Sequence, residues 1–478
     1  METRLIGRKH ESQILQEALS SPHAEMVSVI GRRRVGKTFL VKSTYSGYID
    51  FELTGIRNAS NKEQLQNFSL HLTQLSQAVI PVKEPKNWLE AFFMLIQFLE
   101  GRNTGRKQVV FLDELPWLAK PKSGFLKGLS YFWNSWAVNR KVVVVICGSA
   151  ASWMIKRVVK DKGGLHNRIT RRILLSPFTL RETELFLLNK GVKLNRYQMV
   201  QLYMAMGGIP HYLKEVKPGQ SVVQTIDRIC FSPSGLLKDE FVDLYPALFD
   251  NAPMHVSVIR ALAQKHKGMD RTEIIQKSGL SNGGSLTRVL EELIQSGFIS
   301  EYFPFGKKKK SKLYRLTDEY SLFYLKFIKD KKHQGAGTWQ HLSQTQQYKT
   351  WSGYAYESIC IKHLPQIKKA LGISGVYAVS SSFVAKGKEN QKGLQIDLLL
   401  DRNDQIINLF EIKFANKEFI LSKAYAKQLK ERMDRFAEIT QTRKQLFLTL
   451  VTTFGLKVNE HSLAVVDQVL DLEELFEE

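Results

Sequence analysis

The sequence predicts a multidomain α/β protein in which a parallel sheet with a helical lid is followed by a three-helix module with a hairpin and by a second α/β domain. Three features lead to this prediction. A β-type run at residues 26–30 leads through a glycine-rich turn into a helix. Amphipathic segments between residues 255 and 295 precede two short strands, and strands at residues 393–401 and 406–413 form a second hairpin. The expected boundaries are 1–176 for the first α/β domain, 177–250 for the lid, 251–328 for the three-helix module, 329–340 for a linker and 341–478 for the last domain.

The charge of the chain indicates an anionic partner. The 478 residues include 69 Lys and Arg against 46 Asp and Glu, which gives a formal net charge of +23. Such an excess attracts a polyanion; DNA is the first candidate, and an anionic membrane surface is the weaker one. The widely spaced Cys147, Cys230 and Cys360 predict reduced, buried thiols and no zinc site. We find no signal-peptide core and no run of about 20 apolar residues, so we expect a cytoplasmic protein without a membrane segment.

Residues 31–38 match the phosphate-binding pattern G-x-x-x-x-G-K-[ST] in full. The strand before this loop and the helix after it provide the context that separates a P-loop from a chance match. In such a loop, backbone N–H groups surround the phosphates of ATP, the lysine contacts the β- and γ-phosphates, and the threonine binds Mg²⁺. Lys37 is therefore a candidate catalytic cation and Thr38 a candidate metal ligand. The residues expected to contact the nucleotide are Gly31, Arg32, Arg33, Arg34, Val35, Gly36, Lys37, Thr38 and Phe39.

Two further strands end in polar side chains. The apolar run at residues 108–112 ends in Asp113 and Glu114, at the edge where ligands of open α/β sheets bind. Downstream of a P-loop, this pair predicts that Asp113 contacts Mg²⁺ and that Glu114 polarises the attacking water. Ser149 follows an apolar strand that starts at Val142 and is a candidate sensor of the γ-phosphate, although strand ends also carry serine for turn reasons.

The stretch at residues 164–172 is rich in arginine. One of Arg168, Arg171 and Arg172 is a candidate arginine finger for the γ-phosphate, supplied within the chain or by a second copy in a homo-oligomer. We take Arg168 as the nucleotide contact. A solvated basic turn explains any one of these arginines equally well.

Five motifs in order resemble one family of ATPases. They are Ile6-Gly7-Arg8 with Glu11, the P-loop, Leu112-Asp113-Glu114, Cys147-Gly148-Ser149 and Gly207-Gly208-Ile209-Pro210. This set resembles the archaeal-type ATPases of the STAND branch of AAA-like NTPases, over about the first 215 residues. The resemblance implies a P-loop NTPase fold with ATP as the nucleotide. It also implies that Gly208 and Pro210 lie beside the adenine.

Residues 255–322 have the pattern of a winged helix-turn-helix. Three helices precede a hairpin whose connection contains Gly306 and a lysine cluster. If the module binds DNA, the third helix faces the major groove and the lysines contact phosphate or the minor groove. An intramolecular or oligomer contact is the alternative role. The candidate DNA contacts are Ser285, Thr287, Arg288, Lys307, Lys308, Lys309 and Lys310.

The last domain contains a carboxylate and lysine pattern on neighbouring strands. Asp397 lies on the first strand, whereas Glu411 and Lys413 share one face of the return strand because side chains alternate. A hairpin brings Asp397 against Glu411, and adjacent carboxylates favour a divalent cation. Lys413 is then placed to orient a water or to neutralise developing charge. A helix at residues 351–363 contains Glu357.

This order of residues resembles the PD-(D/E)xK nuclease fold, which is restriction-endonuclease-like. The resemblance implies metal ligation by Glu357, Asp397 and Glu411 and cleavage of DNA with Mg²⁺ or Mn²⁺. Ile396 stands where the family has its name-giving proline, which removes no ligand. The short E-x-K motif also arises on exposed strands, and such domains can keep the fold without turnover. The acidic tail at residues 465–478 ends in residues 471–476, which are expected to dock as a helix.

These features favour an ATP-controlled DNA-processing protein that acts as a metal-dependent nuclease. The alternative is a nucleotide-dependent regulatory or scaffold ATPase, whose winged helix and nuclease-like domain bind DNA or protein partners without cutting. A membrane-surface NTPase is the third and weakest hypothesis.

Overall fold

The computed structural model describes residues 5–77, 80–102, 105–159, 163–307, 311–329, 335–385, 387 and 393–478. The chain divides into two compact units, Met1–Pro177 and Phe178–Glu478. Cys147, Cys230 and Cys360 are free and buried, as the sequence predicts. None of the described helices is both long and apolar enough to cross a membrane.

The first unit is built on a five-stranded parallel sheet with the order β2-β3-β4-β1-β5. Strands β1, β3 and β4 are buried along their whole length, as expected for a parallel sheet that helices cover on both faces. The elements are α1 (Lys9–Ser20), β1 (Glu25–Ile30), α2 (Lys37–Thr44), β2 (Ile49–Thr54), α3 (Asn61–Ser76), α4 (Trp88–Gly101), β3 (Gln108–Asp113), α5 (Leu115–Leu118), α6 (Phe125–Ser135), β4 (Val142–Gly148), α7 (Ala151–Met154) and β5 (Arg171–Leu174).

An aromatic cluster fixes helices α3, α4 and α6 against one face of this sheet. The ring of Trp88 in α4 lies 4.6 Å from Phe125 and 6.2 Å from Phe68, centroid to centroid, in edge-to-face arrangements. Such geometry stabilises aromatic pairs beyond their burial. Helix α4 begins where the side chain of Asn87 accepts the N–H of Glu90. The parallel P-loop NTPase-type sheet predicted for this part of the chain is confirmed.

The second unit begins with helices and a hairpin. Several of these helices begin at a capping box, in which a side chain before the helix binds backbone N–H groups of the first turn. The residues that form these boxes are Thr179, Asn195, Ser221 and Asp270. The elements are α8 (Leu180–Asn189), α9 (Arg196–Met206), α10 (Pro210–Leu213), α11 (Val222–Ile226), α12 (Leu236–Leu244), α13 (Ala252–Leu262), α14 (Arg271–Ser278), α15 (Gly284–Gln295), β6 (Ile299–Tyr302), β7 (Leu313–Leu316) and α16 (Glu319–Phe323).

The three-helix module, predicted at 251–328, contains helices α13, α14 and α15 and the β6–β7 hairpin. These elements span residues 252–316, and the name is used for them below. Helix α14 begins at a capping box of Asp270 and Glu273. Strands β6 and β7 pair antiparallel, and Met269 exchanges backbone hydrogen bonds with Tyr314 to add a short third strand segment. This is the element order that the sequence predicts; its identity as a winged helix-turn-helix stays a proposal.

The rest of the second unit contains a mixed sheet with the order β14-β12-β10-β9-β8. Strands β8, β9 and β10 are antiparallel, whereas β12 runs parallel to β10 after the crossover helix α20. The elements are α17 (Thr338–Leu342), α18 (Gln346–Lys362), α19 (Leu364–Ala370), β8 (Ala378–Ala385), β9 (Leu394–Arg402), β10 (Ile406–Lys413), β11 (Phe419–Ile420), α20 (Lys423–Thr440), β12 (Gln445–Thr452), β13 (Leu456–Lys457), α21 (Glu460–Leu463) and β14 (Gln468–Leu470).

The acidic tail agrees with its prediction in part, because its last turn is helical and buries Leu475 and Phe476. Residues Gln468–Leu470 form an edge strand beside β12, and only Glu473–Phe476 form a helical turn, of the 3-10 type. The run of Asp and Glu suggested a helix, but Val469 and Leu470 satisfy the open edge of the sheet. The finer domain boundaries proposed for the second unit stay predictions, and residues 330–334 of the predicted linker lie outside the described residues.

Candidate functional site

The P-loop connects the end of β1 to the start of α2. Gly36 has φ 93°, in the left-handed region that favours glycine, and helix α2 begins at the next residue. Lys37 is buried, and its Nζ donates to the carbonyl oxygen of Arg32 at 3.0 Å. Arg32 is buried too, whereas Arg33 and Arg34 are half-buried and Phe39 is 40% exposed. The loop therefore has the backbone turn and the inward lysine that phosphate binding requires.

Asp113 at the end of β3 meets Thr38 of the P-loop. The Thr38 hydroxyl donates to Asp113 Oδ2 at 2.6 Å, and Asp113 Oδ1 accepts the N–H of Glu114 at 2.9 Å. A threonine hydroxyl and a buried carboxylate at this distance form the oxygen pair that Mg²⁺ takes in P-loop proteins. The residues present thus fit the cation that nucleotide binding implies.

Glu114 adopts an unusual backbone conformation, with φ 47° and ψ 49°. Such left-handed residues other than glycine are uncommon and cluster at functional sites. Its Oε2 accepts the hydroxyl of Ser149 at 2.8 Å and the N–H of Ser149 at 3.2 Å. Ser149 at the end of β4 thus lies beside Glu114, and through this contact it can orient the candidate base.

Arg8 is a P-loop contact that sequence reasoning did not assign. It is 4% exposed, its Nη2 donates to the carbonyl of Val35 at 3.2 Å, and its Nη1 lies 3.6 Å from Glu11. The Gly7-Arg8 turn, in which both residues have positive φ, brings the guanidinium to the loop. The signal was present as a motif of the resemblance, but only the fold shows what the arginine contacts.

The arginine-rich stretch places its members differently. Arg171 lies on β5 opposite Val27 and pairs with Glu17 at 2.8 Å and Glu25 at 3.5 Å. These ion pairs give Arg171 a structural role near the start of β1, at the opposite end of that strand from the P-loop. Arg172 is also on β5, and Arg168 is an exposed turn residue, so Arg168 remains the candidate finger.

Gly208 and Pro210 lie in the second unit, at the start of α10. A Cβ on Gly208 would lie 2.0 Å from the carbonyl oxygen of Phe178, whose N–H donates to the Gly208 carbonyl at 2.6 Å. This backbone contact explains why the position needs glycine. Pro210 occupies the first turn of α10, where its missing N–H costs nothing. The predicted role of both residues at the adenine stays a prediction.

A cavity of about 620 Å³ lies over the mixed sheet of the second unit. The last paired residues of β9 and β10 at this end are Leu398 and Phe410, and Asp397 and Glu411 come next to them on the two strands. The predicted site residues all line this cavity, as do several cationic side chains of the surrounding elements. The lining residues that matter here are Lys267, Glu357, Asp397, Glu411, Lys413 and Arg432.

Glu411 is held by three donors. Its Oε1 accepts Lys413 Nζ at 2.7 Å and the hydroxyl of Tyr425, and its Oε2 accepts Arg432 Nη1 at 3.2 Å. Burial alone would lower the pKa of Lys413, but the charge and the hydrogen bond of Glu411, together with Tyr425, outweigh burial, and the pKa of Lys413 is raised. Tyr425 and Arg432 both lie on α20, so this helix holds the Glu411 carboxylate from outside the two paired strands.

Glu357 faces the same cavity from α18. Burial, and then the negative charge of Asp397, raises the pKa of Glu357 to about 8. Across the residues that the structure describes, no group of three or more His, Cys, Asp and Glu side chains is close enough together to hold a metal ion. The donor set nevertheless fits a hard divalent cation, because such a charge would relieve the mutual repulsion of these carboxylates.

The candidate DNA contacts of α15 lie on one exposed face. Ser285, Thr287 and Arg288 are exposed, whereas Leu286 and Val289 are buried in the three-helix module. Lys307 is exposed as well. Lys308, Lys309 and Lys310 lie outside the described residues.

Comparison with known proteins identifies the first part of the chain. Residues 5–216 match the family described as an ATPase domain predominantly from Archaea. An uncharacterized protein of Methanocaldococcus jannaschii is 24% identical over 413 residues, which are 86% of this chain and 87% of that protein. A Walker-type ATPase of Pyrococcus abyssi has 18% identity and a TM-score of 0.50, and the match covers 68% of this chain and 97% of that structure. The chain thus carries an archaeal-type, ATP-binding ATPase domain with a P-loop NTPase fold.

Proposed function

We propose that the chain is a metal-dependent DNA nuclease whose activity is controlled by its STAND-type ATPase domain. The observation that supports this proposal most is that Glu357, Asp397, Glu411 and Lys413 line one cavity. They do so from one helix and two paired strands, in the order helix, strand, strand that the PD-(D/E)xK resemblance implies. The net charge of +23 attracts a polyanion, and both this charge and the fold agree with DNA as the substrate.

In the proposed nuclease site, Asp397 and Glu411 hold the cation and Glu357 supports it. A bound Mg²⁺ or Mn²⁺ supplies a nucleophilic water at neutral pH and offsets charge on the phosphate. Lys413, whose raised pKa keeps it cationic, orients the water and neutralises charge that develops on the phosphoryl oxygens. Tyr425 and Arg432 fix the orientation of the Glu411 carboxylate.

DNA reaches this cavity along cationic side chains. Lys267 and Arg435 line the cavity and are suited to phosphate contacts, which carry affinity without sequence preference. The exposed face of α15 and the exposed Lys307 are further candidate DNA contacts on the three-helix module. The winged-helix assignment belongs to this proposal.

In the proposed ATPase mechanism, Lys37 and the P-loop N–H groups bind the phosphates of ATP. Thr38 and Asp113 hold Mg²⁺, and Glu114 orients the attacking water. Ser149 holds Glu114, and Arg168 completes the site as a finger within the chain or in a homo-oligomer. Gly208 and Pro210 contact the adenine.

A plasmid-nicking assay tests the nuclease. With Mn²⁺ or Mg²⁺ and ATP, the wild-type chain is expected to nick supercoiled DNA, and Asp397→Ala and Lys413→Ala are expected to lose this activity. Asp434→Ala and Lys417→Ala are matched controls, because both residues are exposed and neither lines the cavity. Nicking that persists in the first two variants, or that no nucleotide condition elicits, rules out the assignment.

A scaffold ATPase is the second candidate function, and the contacts of Glu411 favour it. Three donors already occupy that carboxylate, and in this second function Glu411 neutralises cations of the pocket and does not bind a metal. If the chain is a scaffold ATPase, we expect it to bind DNA through its second unit and to shift the DNA band in a gel-shift assay under every nucleotide condition. No added divalent cation is then expected to produce cleavage.

A further inference from the structure

The three-helix module packs directly against the candidate nuclease domain. The N–H of Phe305, just after β6, donates to the carbonyl of Ser382 in β8 at 2.7 Å, and its ring lies 5.4 Å from that of Phe436. At the other end of the module, His266 stacks on Tyr354 with 4.5 Å between the ring centroids and 12° between the planes. Tyr354 lies one helical turn before Glu357, the candidate metal ligand of α18. These contacts hold the turn between α13 and α14 beside the carboxylate cavity.

A hydrogen-bond chain crosses this contact and ends on a candidate metal ligand. Lys267, in the turn after α13, donates from Nζ to Oε1 of Gln395, and Gln395 Nε2 donates to Oδ1 of Asp397. The backbone of Lys267 is fixed too, because its carbonyl accepts the hydroxyl of Tyr302. The amide of Gln395 is thus held at both ends, by a residue of the module and by a carboxylate of the mixed sheet.

The chemistry of the three groups fixes the direction of this chain. An ammonium group has only donors, so Lys267 can bond only the oxygen of the Gln395 amide. The amide nitrogen must then point towards Asp397, where it engages one carboxylate oxygen and leaves the other for a cation. Partners of this kind behind metal-ligating side chains orient the ligands and commonly change metal affinity by about 10-fold or more.

We propose that Lys267 is a positioning residue for the nuclease site, which through Gln395 holds the Asp397 carboxylate in the orientation that binds the divalent cation. This inference rests on the proposed nuclease function. The site is then a composite of two parts of the chain, since the three-helix module provides the residue that orders a ligand of the mixed sheet. A module that only bound DNA would have no such effect on the metal.

A second cation of the module supports the same placement. Arg315 of β7 lines a small cavity together with Glu357 and Asp397. The module therefore contributes both a hydrogen-bond donor and a counter-charge to the carboxylates.

The test is the affinity of the full-length chain for Mn²⁺ without nucleotide, measured by electron paramagnetic resonance of the free ion, with Asp397→Ala as the baseline. Lys267→Met is expected to weaken the Asp397-dependent binding about 10-fold. Gln395→Met should have a similar effect, and the double variant should lose little more, because both residues act through one chain. Lys267→Arg retains a donor and should restore most of the affinity. Lys265→Met is the matched control, since Lys265 is exposed and pairs with Glu273.

The outcomes separate this inference from the function on which it rests. Asp397-dependent Mn²⁺ binding that is unchanged, or stronger, in Lys267→Met overturns the positioning role and leaves the nuclease proposal standing. Additive losses in the double variant overturn it as well, because they would show two independent effects. If the wild-type chain has no Asp397-dependent Mn²⁺ binding, the nuclease proposal itself fails.

Discussion

The wild-type chain is expected to lose stability in mild acid because His363 becomes protonated. Replacing His363 with a residue that does not titrate is expected to remove this part of the loss. The imidazole lies buried between α18 and α19, where Nε2 accepts the N–H of Leu180 at 3.0 Å and Nδ1 donates to the carbonyl of Ile359 at 2.8 Å. Burial is the main reason that the pKa of His363 falls to about 4. Because Nε2 is an acceptor in this arrangement, protonation also breaks the bond that ties the start of α8 to the last domain.

The sign and size of the effect follow from linkage. The folded-state pKa of about 4 lies below the value of about 6.5 for a free histidine, so the unfolded chain binds the proton more tightly. The stabilising effect is complete above about pH 6.5 and is lost as the pH falls towards 4, with a limit of about 3 kcal/mol. Between about pH 7.5 and pH 5, the same two pKa values give a loss of about 2 kcal/mol.

The assay is hydrogen exchange of the peptide that covers α8, followed through a urea series at both pH values, which reports unfolding of the unit that contains His363. We expect the unfolding free energy of the wild type to fall by about 2 kcal/mol more than that of His363→Gln, which keeps an acceptor but does not titrate. His341→Gln is the control, because His341 is exposed. Parallel pH dependence of the wild type and His363→Gln would refute the buried neutral histidine.

The remaining predictions concern ATP and DNA. Lys37→Ala should weaken ATP binding by about 10-fold or more in a fluorescent-nucleotide titration, because a charge-assisted contact is lost; unchanged affinity would contradict the P-loop geometry. Glu114→Gln should bind ATP normally and hydrolyse it about 100-fold more slowly in a phosphate-release assay, and normal turnover would show that the base is another residue. Ser149→Ala should slow hydrolysis less than Glu114→Gln does, since it removes only the orienting hydroxyl. Neutralising the lysines at 307–310 should weaken DNA binding about equally for all sequences and flatten its salt dependence; no change in either would favour a contact role for the module.

Local sequence was sufficient to predict the ATP site because its parts are local. A strand, a glycine turn and a helix fix the P-loop, and the strand that ends in Asp113 reaches the same edge of the sheet as β1. What the sequence did not predict depends on contacts between distant residues. Arg8 reaches the carbonyl of Val35 only because its turn folds back on the loop, and the left-handed backbone of Glu114 has no sequence signature.

The last domain shows the same division. Alternation along β10 was enough to place Glu411 and Lys413 on one face, and Asp397 of β9 lines the same cavity. The partners of Glu411 on α20 were missed, because a solvated helix and a helix that caps a carboxylate have the same pattern. The docking of Phe305 against Phe436 also had no signal, since it joins residues that are more than a hundred positions apart.

The rate of plasmid nicking as a function of the bound nucleotide tests the central claim most directly. With Mn²⁺ present, we expect the wild-type rate to differ between ATP, ADP and no nucleotide, the difference to disappear in Lys37→Ala, and all nicking to disappear in Asp397→Ala. A nicking rate that is the same in Asp397→Ala as in the wild type would contradict the nuclease site. A wild-type rate that is independent of nucleotide would contradict control by the ATPase domain.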